Sequence, residues 1–334
     1  MIRTAVELTP DKPIDTLARA GQAAESAPFD GIFVSSHYNN RDPFQALDRL
    51  AMRTDSIALG PGVVNPYEAH PAVQAARVAT LHESSGGRAV LGIGAGDRST
   101  LRSLGIERES PLGRVRASIQ LARRLFDGQR VEMDDHVAVA DAKLNIPLDE
   151  YGPIPIFVGA QGPQMLRMSG IYADGVLINA SHERDVAWAA EQVGRTIDRR
   201  PPDRDPPTLL AHACVSVADA AAPARRAVRP PVAFIAAGAE TQVLERHGVD
   251  PDLASSIGSA IATGEYESAF GQVSTAMIDA FAIAGTPETV ADRLATLLDI
   301  VDGVVVGAPI GPDPPDAVTR AGRALAMARD AANR

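Results

Sequence analysis

The chain has 334 residues, of which 45% are hydrophobic, and its formal net charge at pH 7 is -10. A chain of this size and apolar content can bury a large core, which excludes an intrinsically disordered protein. The acidic balance removes the electrostatic attraction that dominates binding to phosphate backbones, so a nucleic-acid-binding protein is excluded as well.

Short apolar runs alternate along the chain with amphipathic helical stretches. The predicted strands are residues 4–8, 31–35, 57–59, 89–93, 156–158, 175–178, 209–217 and 303–306. The predicted helices are residues 13–27, 43–53, 72–82, 111–126, 163–173, 183–197, 287–298 and 316–332. Strands that are short and apolar on both faces, each followed by a helix, favour parallel pairing. Eight such units predict an α/β fold, a (β/α)8 TIM barrel, rather than an open sheet.

Two segments are longer than the loops that connect the units of a simple (β/α)8 barrel. Residues 127–155 hold turn-forming residues and scattered hydrophobic residues without a long helix, and residues 229–274 carry extra helical pattern before the eighth unit. We predict that both are loop insertions in a single domain spanning residues 1–334. The proline-rich stretch 199–207 lies between the sixth helix and the seventh strand, so it is predicted to be a surface loop.

The sequence offers no signal for a membrane, a disulfide or a metal. It lacks a run of eighteen apolar residues and begins directly in a strand pattern, so we predict a cytoplasmic protein without a membrane partner. The single cysteine, Cys214, rules out an internal disulfide and a thiolate metal cluster, and we interpret it as a buried core residue. The histidines interpreted as structural, without metal-ligand spacing, are His70, His82, His182, His212 and His247.

Polar or glycine-rich residues follow six successive predicted strands. These strand ends carry Glu7, residues 36–40, Gly62 with Val63, residues 94–97, residues 159–163 and Asn179. Parallel strands of a barrel end on one rim, where enzymes of this fold hold their active sites. We therefore predict an active site at this rim.

Three of these strand ends are suited to a bound cofactor. Residues 59–67 and 91–97 are apolar strands that stop abruptly at glycines, which let the backbone approach a ligand closely. Residues 159–163 open a helix, whose free N–H groups and positive dipole end can receive an anionic group. Arg98 and Arg167 are candidates to assist there, although a solvated surface position is the alternative for both.

Taken together, these motifs resemble the methylenetetrahydromethanopterin reductases of the bacterial luciferase-like barrel superfamily. The resemblance is carried by Glu7 and by residues 37–40, 60–67, 92–97, 159–163, 173–180, 232–238, 245–248 and 309–313. It covers nearly the whole chain. Its specificity comes from the order and spacing of the motifs, since each one alone would be a weak signal.

The resemblance implies a reaction and a cofactor. A methylene-tetrahydropterin, carrying either tetrahydromethanopterin or tetrahydrofolate, would be reduced to the methyl form by hydride from reduced coenzyme F420, a 5-deazaflavin. The family usually has aspartate before the histidine that follows strand two, whereas here Ser36 precedes His37. FMN or another flavin is therefore the alternative cofactor. Other open alternatives are a luciferase-like oxidoreductase acting on an alcohol or sugar phosphate, and a non-catalytic cofactor-binding barrel.

The resemblance also assigns roles to individual residues. Glu7 is the expected acid, because burial in a barrel mouth would raise its pKa toward neutrality; a solvent-facing salt-bridge partner is the alternative. Asp97 is the second catalytic candidate, with helix capping as its alternative. Cofactor binding is expected at Ser36, His37, Gly62, Val63, Gly94, Ala95, Gly96, Ala160, Gln161, Gly162 and Pro163, and substrate binding at Asn179. The Gly62–Val63 peptide would be cis, and a simple turn is the alternative.

Two further expectations concern the assembly and the host. The family resemblance implies a homo-oligomer, either a dimer or a tetramer, that pairs through outer helices. Only two of the 32 basic residues are lysines, Lys12 and Lys143. Excess carboxylates with almost no lysine indicate a protein that is soluble at high salt, so we expect a halophilic archaeon. A GC-rich genome that favours arginine codons is the alternative.

Overall fold

A ring of parallel strands surrounded by helices forms the body of the protein. The computed structural model describes residues 2–312 and 314–332, so Asp313, the last residue of the segments that carry the resemblance, lies outside it. The strands are β1 (Thr4–Leu8), β2 (Gly31–Val34), β3 (Ala58–Pro61), β4 (Leu91–Gly94), β5 (Val131–Asp134), β6 (Ala138–Ala142), β7 (Ile156–Ala160), β8 (Gly175–Asn179), β9 (Thr208–Val217), β10 (Ile283–Gly285) and β11 (Gly303–Ile310).

The helices follow the strands along the chain, and several have proline in the first turn, where its missing N–H is not needed. They are α1 (Ile14–Glu25), α2 (Pro43–Ala51), α3 (Pro71–Ser84), α4 (Arg98–Ser103), α5 (Pro111–Phe126), α6 (Pro163–Tyr172), α7 (Glu183–Gly194), α8 (Ala221–Ala227), α9 (Arg229–Gly238), α10 (Thr241–Arg246), α11 (Pro251–Ala262), α12 (Tyr266–Gly271), α13 (Thr275–Phe281), α14 (Pro287–Leu298) and α15 (Pro314–Ala332). Within the described ranges, no helix is both long and apolar enough to span a bilayer.

The main sheet closes on itself, which confirms the predicted (β/α)8 barrel. Its strand order is β3-β2-β1-β11-β9-β8-β7-β4, and the neighbouring strands pair in parallel. Single bridges from Leu59 to Ala89 and from Val64 to Ile93 join the two edge strands β3 and β4. All eight predicted strands therefore lie in one barrel, and their carboxyl ends share one rim.

The structure differs from the sequence-based prediction in its smaller elements. Residues 127–155 contain the antiparallel hairpin β5–β6, whose mostly exposed strands lack the apolar run that marked the barrel strands. The strand β10, which pairs with the end of β9, was not predicted because three residues are too short to show a period. Residues 229–274 hold α9 to α12, as their helical pattern indicates.

The barrel interior is packed at its amino-terminal end. The side chains that fill it are Ile2, Ala5, Phe33, Val90, Phe157, Leu177, Leu210 and Val305. The rings of Phe33 and Phe157 are 6.0 Å apart at their centroids and tilted against each other. A separate apolar cluster joins the helical insertion to α13 and includes Val232, Ile257 and Met277. Toward the carboxyl-terminal end the strands carry glycine or polar residues instead, including Gly94, Gly159 and Glu7.

A half-buried arginine ties together the loops at the amino-terminal end. The guanidinium of Arg88 donates to the carbonyl oxygens of Ser85, Ile57, Ala51 and Thr54 and to the Thr54 hydroxyl, at distances of 2.7 to 3.0 Å. The planar fork of five N–H donors makes this arrangement specific to arginine.

Replacement of Arg88 by lysine should destabilise the fold although it keeps the positive charge. We expect the free energy of unfolding to fall by about 2–4 kcal/mol, because several carbonyl groups lose a charged donor. Urea denaturation measures this change, with Arg19→Lys as the control at an exposed helical position. Equal stability of the Arg88 and Arg19 variants would contradict this role.

Candidate active site

The carboxyl group of Glu7 lies in the open mouth of the barrel and contacts a histidine from a distant part of the sequence. Its Oε2 atom is 3.1 Å from Nε2 of His212 and accepts a 3.4 Å hydrogen bond from the backbone N–H of Ala308. The side chains of Glu7 and His212 are only 14% and 17% exposed. The site therefore contains a largely buried carboxyl–imidazole pair.

The order of the strands in the sheet explains how these two residues meet. Strand β11 lies between β1 and β9, and Val306 of β11 pairs in register with Val6 on one side and with Ala213 on the other. A Cβ atom on Gly307 would lie 3.2 Å from Cδ2 of His212. The glycine thus leaves room for the imidazole to reach across β11 to Glu7.

The structure places His212, interpreted from the sequence as structural, within hydrogen-bond distance of the candidate acid Glu7. A signal for it was present in the sequence, because His212 occupies the inward-facing position between Leu210 and Cys214 of an otherwise apolar strand. The sequence alone did not reveal that Glu7 faces the same point.

The pKa of Glu7 also departs from the prediction. Burial raises the pKa of this carboxyl, but the charge and hydrogen bond of His212, the N–H of Ala308 and the charge of His37 together lower it by more. The net pKa lies below the ordinary value of glutamate, whereas burial alone was expected to raise it. In this structure the carboxyl is therefore held in its ionised form.

Glycines at the strand ends leave space in the barrel next to this pair. A Cβ atom on Gly94 would lie 2.7 Å from Cγ2 of Val63, and one on Gly159 would lie 3.3 Å from the same methyl group. Gly62 and Val63 are joined by a cis peptide bond, in agreement with the family resemblance. The side chain of Val63 thus packs on Gly94 at the end of β4 and on Gly159 of β7, and forms an apolar surface there.

An unpartnered hydroxyl group lies near this surface. Ser35 follows the end of β2, and by the alternation of the strand it shares the inward face of Phe33. Its Oγ atom is buried and has no hydrogen-bond partner among the described residues. Buried hydroxyl groups normally have a partner, so this atom is available to a ligand. The next residues, Ser36 and His37, are half-buried and exposed, respectively.

Asp97 acts as a helix cap in this structure. Its Oδ1 atom accepts hydrogen bonds from the Thr100 N–H at 2.8 Å and the Ser99 hydroxyl at 2.5 Å, at the start of α4. Burial raises its pKa, but these hydrogen bonds lower it by more. Gly94, Ala95 and Gly96 lead into this turn. The cap, which was the alternative interpretation of Asp97, is therefore present.

The loop after β7 exposes a helix N-terminus to solvent. Ala160 is buried, whereas Gln161, Gly162 and Pro163 are exposed, and no side chain caps α6. Its first N–H groups can therefore bind an anion. Arg167 does not assist, because its guanidinium donates to Oε1 of the nearly buried Gln192.

The remaining candidates lie at the same rim or are chemically inert. Asn179 ends β8 with an exposed side chain and pairs in register with His212. Cys214 is not a nucleophile, because burial, assisted by the charge of Glu7, raises its pKa to about 12. Among the described residues, no cluster of histidine, cysteine or carboxylate side chains could hold a metal ion.

The chain is similar to known proteins over nearly its whole length. The profile of the luciferase-like monooxygenase family matches residues 1–301. A 5,10-methylenetetrahydromethanopterin reductase from Methanolobus tindarius is 41% identical over 323 residues, which cover 96% of this chain and 98% of that protein. The same-named protein from Archaeoglobus fulgidus is 39% identical over 330 residues, or 97% and 98% of the two chains.

A solved structure is similar over the same extent. The coenzyme F420-dependent tetrahydromethanopterin reductase of Methanopyrus kandleri superimposes with a TM-score of 0.87 at 35% identity. The match covers 96% of this chain and 97% of that chain.

The lowered pKa of Glu7 predicts a pH-dependent contribution to stability. Because the folded-state pKa lies below the ordinary 4.5, the ionised carboxylate stabilises the fold above that pH and loses this effect as the pH falls through the folded-state pKa. Urea denaturation from about pH 6 to about pH 3.5 should show a steeper loss for the wild type than for Glu7→Gln. Parallel curves for the two proteins would contradict the pKa assignment, and Glu107→Gln, at an exposed position, is the control.

Proposed function

The chain belongs to the luciferase-like monooxygenase family and, within it, to the 5,10-methylenetetrahydromethanopterin reductases, and from this premise we propose its reaction. The protein reduces the methylene group of a methylene-tetrahydropterin to a methyl group by hydride transfer from reduced coenzyme F420. The observation that carries the proposal is the largely buried carboxyl of Glu7 at the glycine-lined mouth of the barrel.

The residues of the mouth fit a flat, anionic cofactor. Val63 offers an apolar surface between Gly94 and Gly159, and the hydroxyl of Ser35 is a free partner for a polar ring edge. The uncapped N-terminus of α6 can receive a negatively charged tail, which an acidic protein would otherwise repel. When bound, the deazaflavin supplies the hydride.

Glu7 supplies the proton that the reaction needs in addition to the hydride. The methylene carbon of the substrate bridges two nitrogen atoms, and protonation of one of them opens the five-membered ring to an iminium carbon that accepts hydride. A carboxyl group in a water-poor mouth can transfer this proton directly to the nitrogen. Asn179 and Asp97, which lie on the same rim, are the candidates to hold the pterin amide groups.

The proposal also specifies which pterin is the substrate and which cofactor is the hydride donor, and these two choices are its finer part. Relatives that match over nearly the full chain are named for methylenetetrahydromethanopterin, which favours this substrate over methylenetetrahydrofolate. The solved relative is named for coenzyme F420, which favours the deazaflavin over FMN although Ser36 replaces the usual aspartate. The buried Glu7–His212 pair argues against a non-catalytic barrel, since such a pair is costly to bury without a use.

We further infer the setting in which the protein works. The negative charge, the absence of a spanning helix among the described residues and the small-molecule site support a cytoplasmic enzyme without nucleic-acid or membrane partners. A homo-oligomer remains the proposed assembly, and size-exclusion chromatography with light scattering would distinguish a dimer from a tetramer.

The proposed reaction predicts that only one pairing of cofactor and substrate supports turnover. Reduced coenzyme F420 and reduced FMN are each mixed with methylene-tetrahydromethanopterin and with methylene-tetrahydrofolate, and oxidation of the cofactor is followed by absorbance. We expect turnover with the deazaflavin and methylene-tetrahydromethanopterin. No oxidation with either pterin would contradict the proposed function, whereas turnover with tetrahydrofolate or FMN would correct its finer part.

Replacement of Glu7 by glutamine should remove the proton donor while it preserves the shape of the site. We expect kcat to fall by at least about 100-fold, with the Kd of the deazaflavin changed by less than about threefold. Glu107→Gln, at an exposed position near α4, is the matched control. Near-wild-type kcat in the Glu7 variant would disprove the role of Glu7 as the acid.

The charge composition supports a halophilic archaeal host. With a net charge of -10 and only two lysines, the surface carboxylates should repel one another in dilute buffer. We therefore expect the midpoint of thermal unfolding to rise as KCl is raised from about 0.1 M to about 2 M, because salt screens this repulsion. Equal stability at both salt concentrations would favour a GC-rich genome as the reason for the arginine bias.

A further inference from the structure

The contact between Glu7 and His212 offers more than support for the carboxyl group. We propose that the two side chains form a pair holding one exchangeable proton, in which His212 supplies the proton that Glu7 delivers to the substrate. This inference rests on the proposed function and adds His212 to the proton-transfer machinery.

The geometry allows direct proton transfer. Nε2 of His212 and Oε2 of Glu7 are 3.1 Å apart, within hydrogen-bond distance, and both side chains are largely buried. Because a carboxylate can only accept, Nε2 carries the hydrogen atom in this contact. Both donors to Glu7 reach Oε2, so among the described residues no group occupies Oε1. Oε1 is therefore the atom available to a substrate nitrogen.

The proton balance of the pair is simple. In the ion-pair form, the imidazolium of His212 faces the carboxylate of Glu7. Transfer from Nε2 to Oε2 breaks an N–H bond, forms an O–H bond and leaves both groups neutral. A half-turn of the carboxyl group about the Cγ–Cδ bond brings this O–H to the position of Oε1, where it protonates the bridging nitrogen of the substrate, and Glu7 becomes a carboxylate again. One proton from solvent restores the imidazolium, and in each turnover the substrate gains one proton and one hydride.

The groups around Glu7 stabilise its carboxylate form. The titratable side chains that face Glu7 are His212 and Cys214 of β9 and His37 of the loop after β2, while β11 contributes the N–H of Ala308. The thiol of Cys214 stays protonated, because burial raises its pKa to about 12, and it adds no negative charge. The two histidines and the N–H of Ala308 lower the pKa of Glu7 and so stabilise the carboxylate that Nε2 of His212 contacts.

A histidine at this position can exchange a proton with the carboxyl group, which a permanently charged arginine could not do. A carboxyl alone loses its proton once the pH exceeds its pKa, whereas a coupled pair titrates as a unit and retains one proton to higher pH. The pair can therefore provide an acid near neutral pH although the pKa of Glu7 is lowered. This resolves the apparent conflict between a lowered pKa and a role as acid.

The substitution His212→Gln separates proton exchange from positioning. Glutamine presents an amide N–H that can still donate to Oε2, but it cannot take up or release a proton. In the ligand-free protein, NMR titration of 13Cδ-labelled glutamate, with Glu7 assigned by its loss in Glu7→Gln, should show a rise of at least about one unit in the pKa of Glu7. Steady-state kinetics should show kcat lowered about 10-fold or more at pH 7, with KM changed by less than about twofold.

The pH profile is the decisive readout. We expect kcat of the wild type to be nearly constant from about pH 6 to about pH 7, whereas kcat of His212→Gln should fall about tenfold per pH unit above the pKa of Glu7. His136→Gln, in the exposed turn between β5 and β6, is the matched control. If the glutamine variant does not fold, His212→Asn, which removes the contact, is measured in the same way and should show the same profile.

Two results would overturn the inference. An unchanged kcat and pH profile in His212→Gln would show that His212 only positions the carboxyl. An unchanged pKa of Glu7 in that variant would show that the two groups do not share a proton. If instead the wild type fails to oxidise the reduced deazaflavin with either pterin, the proposed function fails, while the NMR titration still decides whether the pair is coupled.

Discussion

The hydrogen bond between Glu7 and His212 is the contact on which the proposed chemistry of this site depends. It joins β1 to β9 across the intervening strand β11, and it forms only when these three strands are paired in register. Gly307 of β11 lies beside this contact, where a Cβ atom would come within 2.6 Å of the Ala213 carbonyl oxygen and within 3.2 Å of Cδ2 of His212. The last strand along the chain, β11, therefore lies between the two strands that carry this pair.

The barrel interior is divided into a filled half and a hollow half. Large apolar side chains such as Phe33, Phe157 and Leu210 fill the amino-terminal half, which stabilises the closed sheet by burying apolar surface. Toward the carboxyl ends the inward positions change to glycine or to polar residues, including Gly94 and Gly159. The same strands thus serve stability at one end and ligand access at the other.

The helical insertion is fastened beside this mouth by a polar cluster. Asp185 at the start of α7 accepts hydrogen bonds from Arg246 and from His247, the latter at 2.7 Å. The Ser181 hydroxyl donates to the carbonyl oxygen of Phe281 and accepts the N–H of Cys214. The segment 245–248, one of those that carry the family resemblance, therefore anchors the insertion to the rim next to His212.

The sequence by itself determined the barrel, its eight strands and the rim on which the site lies, because buried parallel strands and strand-end glycines are local patterns. It also identified Glu7 as the notable carboxyl. It did not reveal the hairpin β5–β6 or the short strand β10, since neither has a buried run long enough to show a period. It did not show that His212 contacts Glu7, and it led us to expect that burial would raise the pKa of Glu7. Only the tertiary structure decided these two points, because the partner of Glu7 lies 205 residues away and meets it through strand order and register.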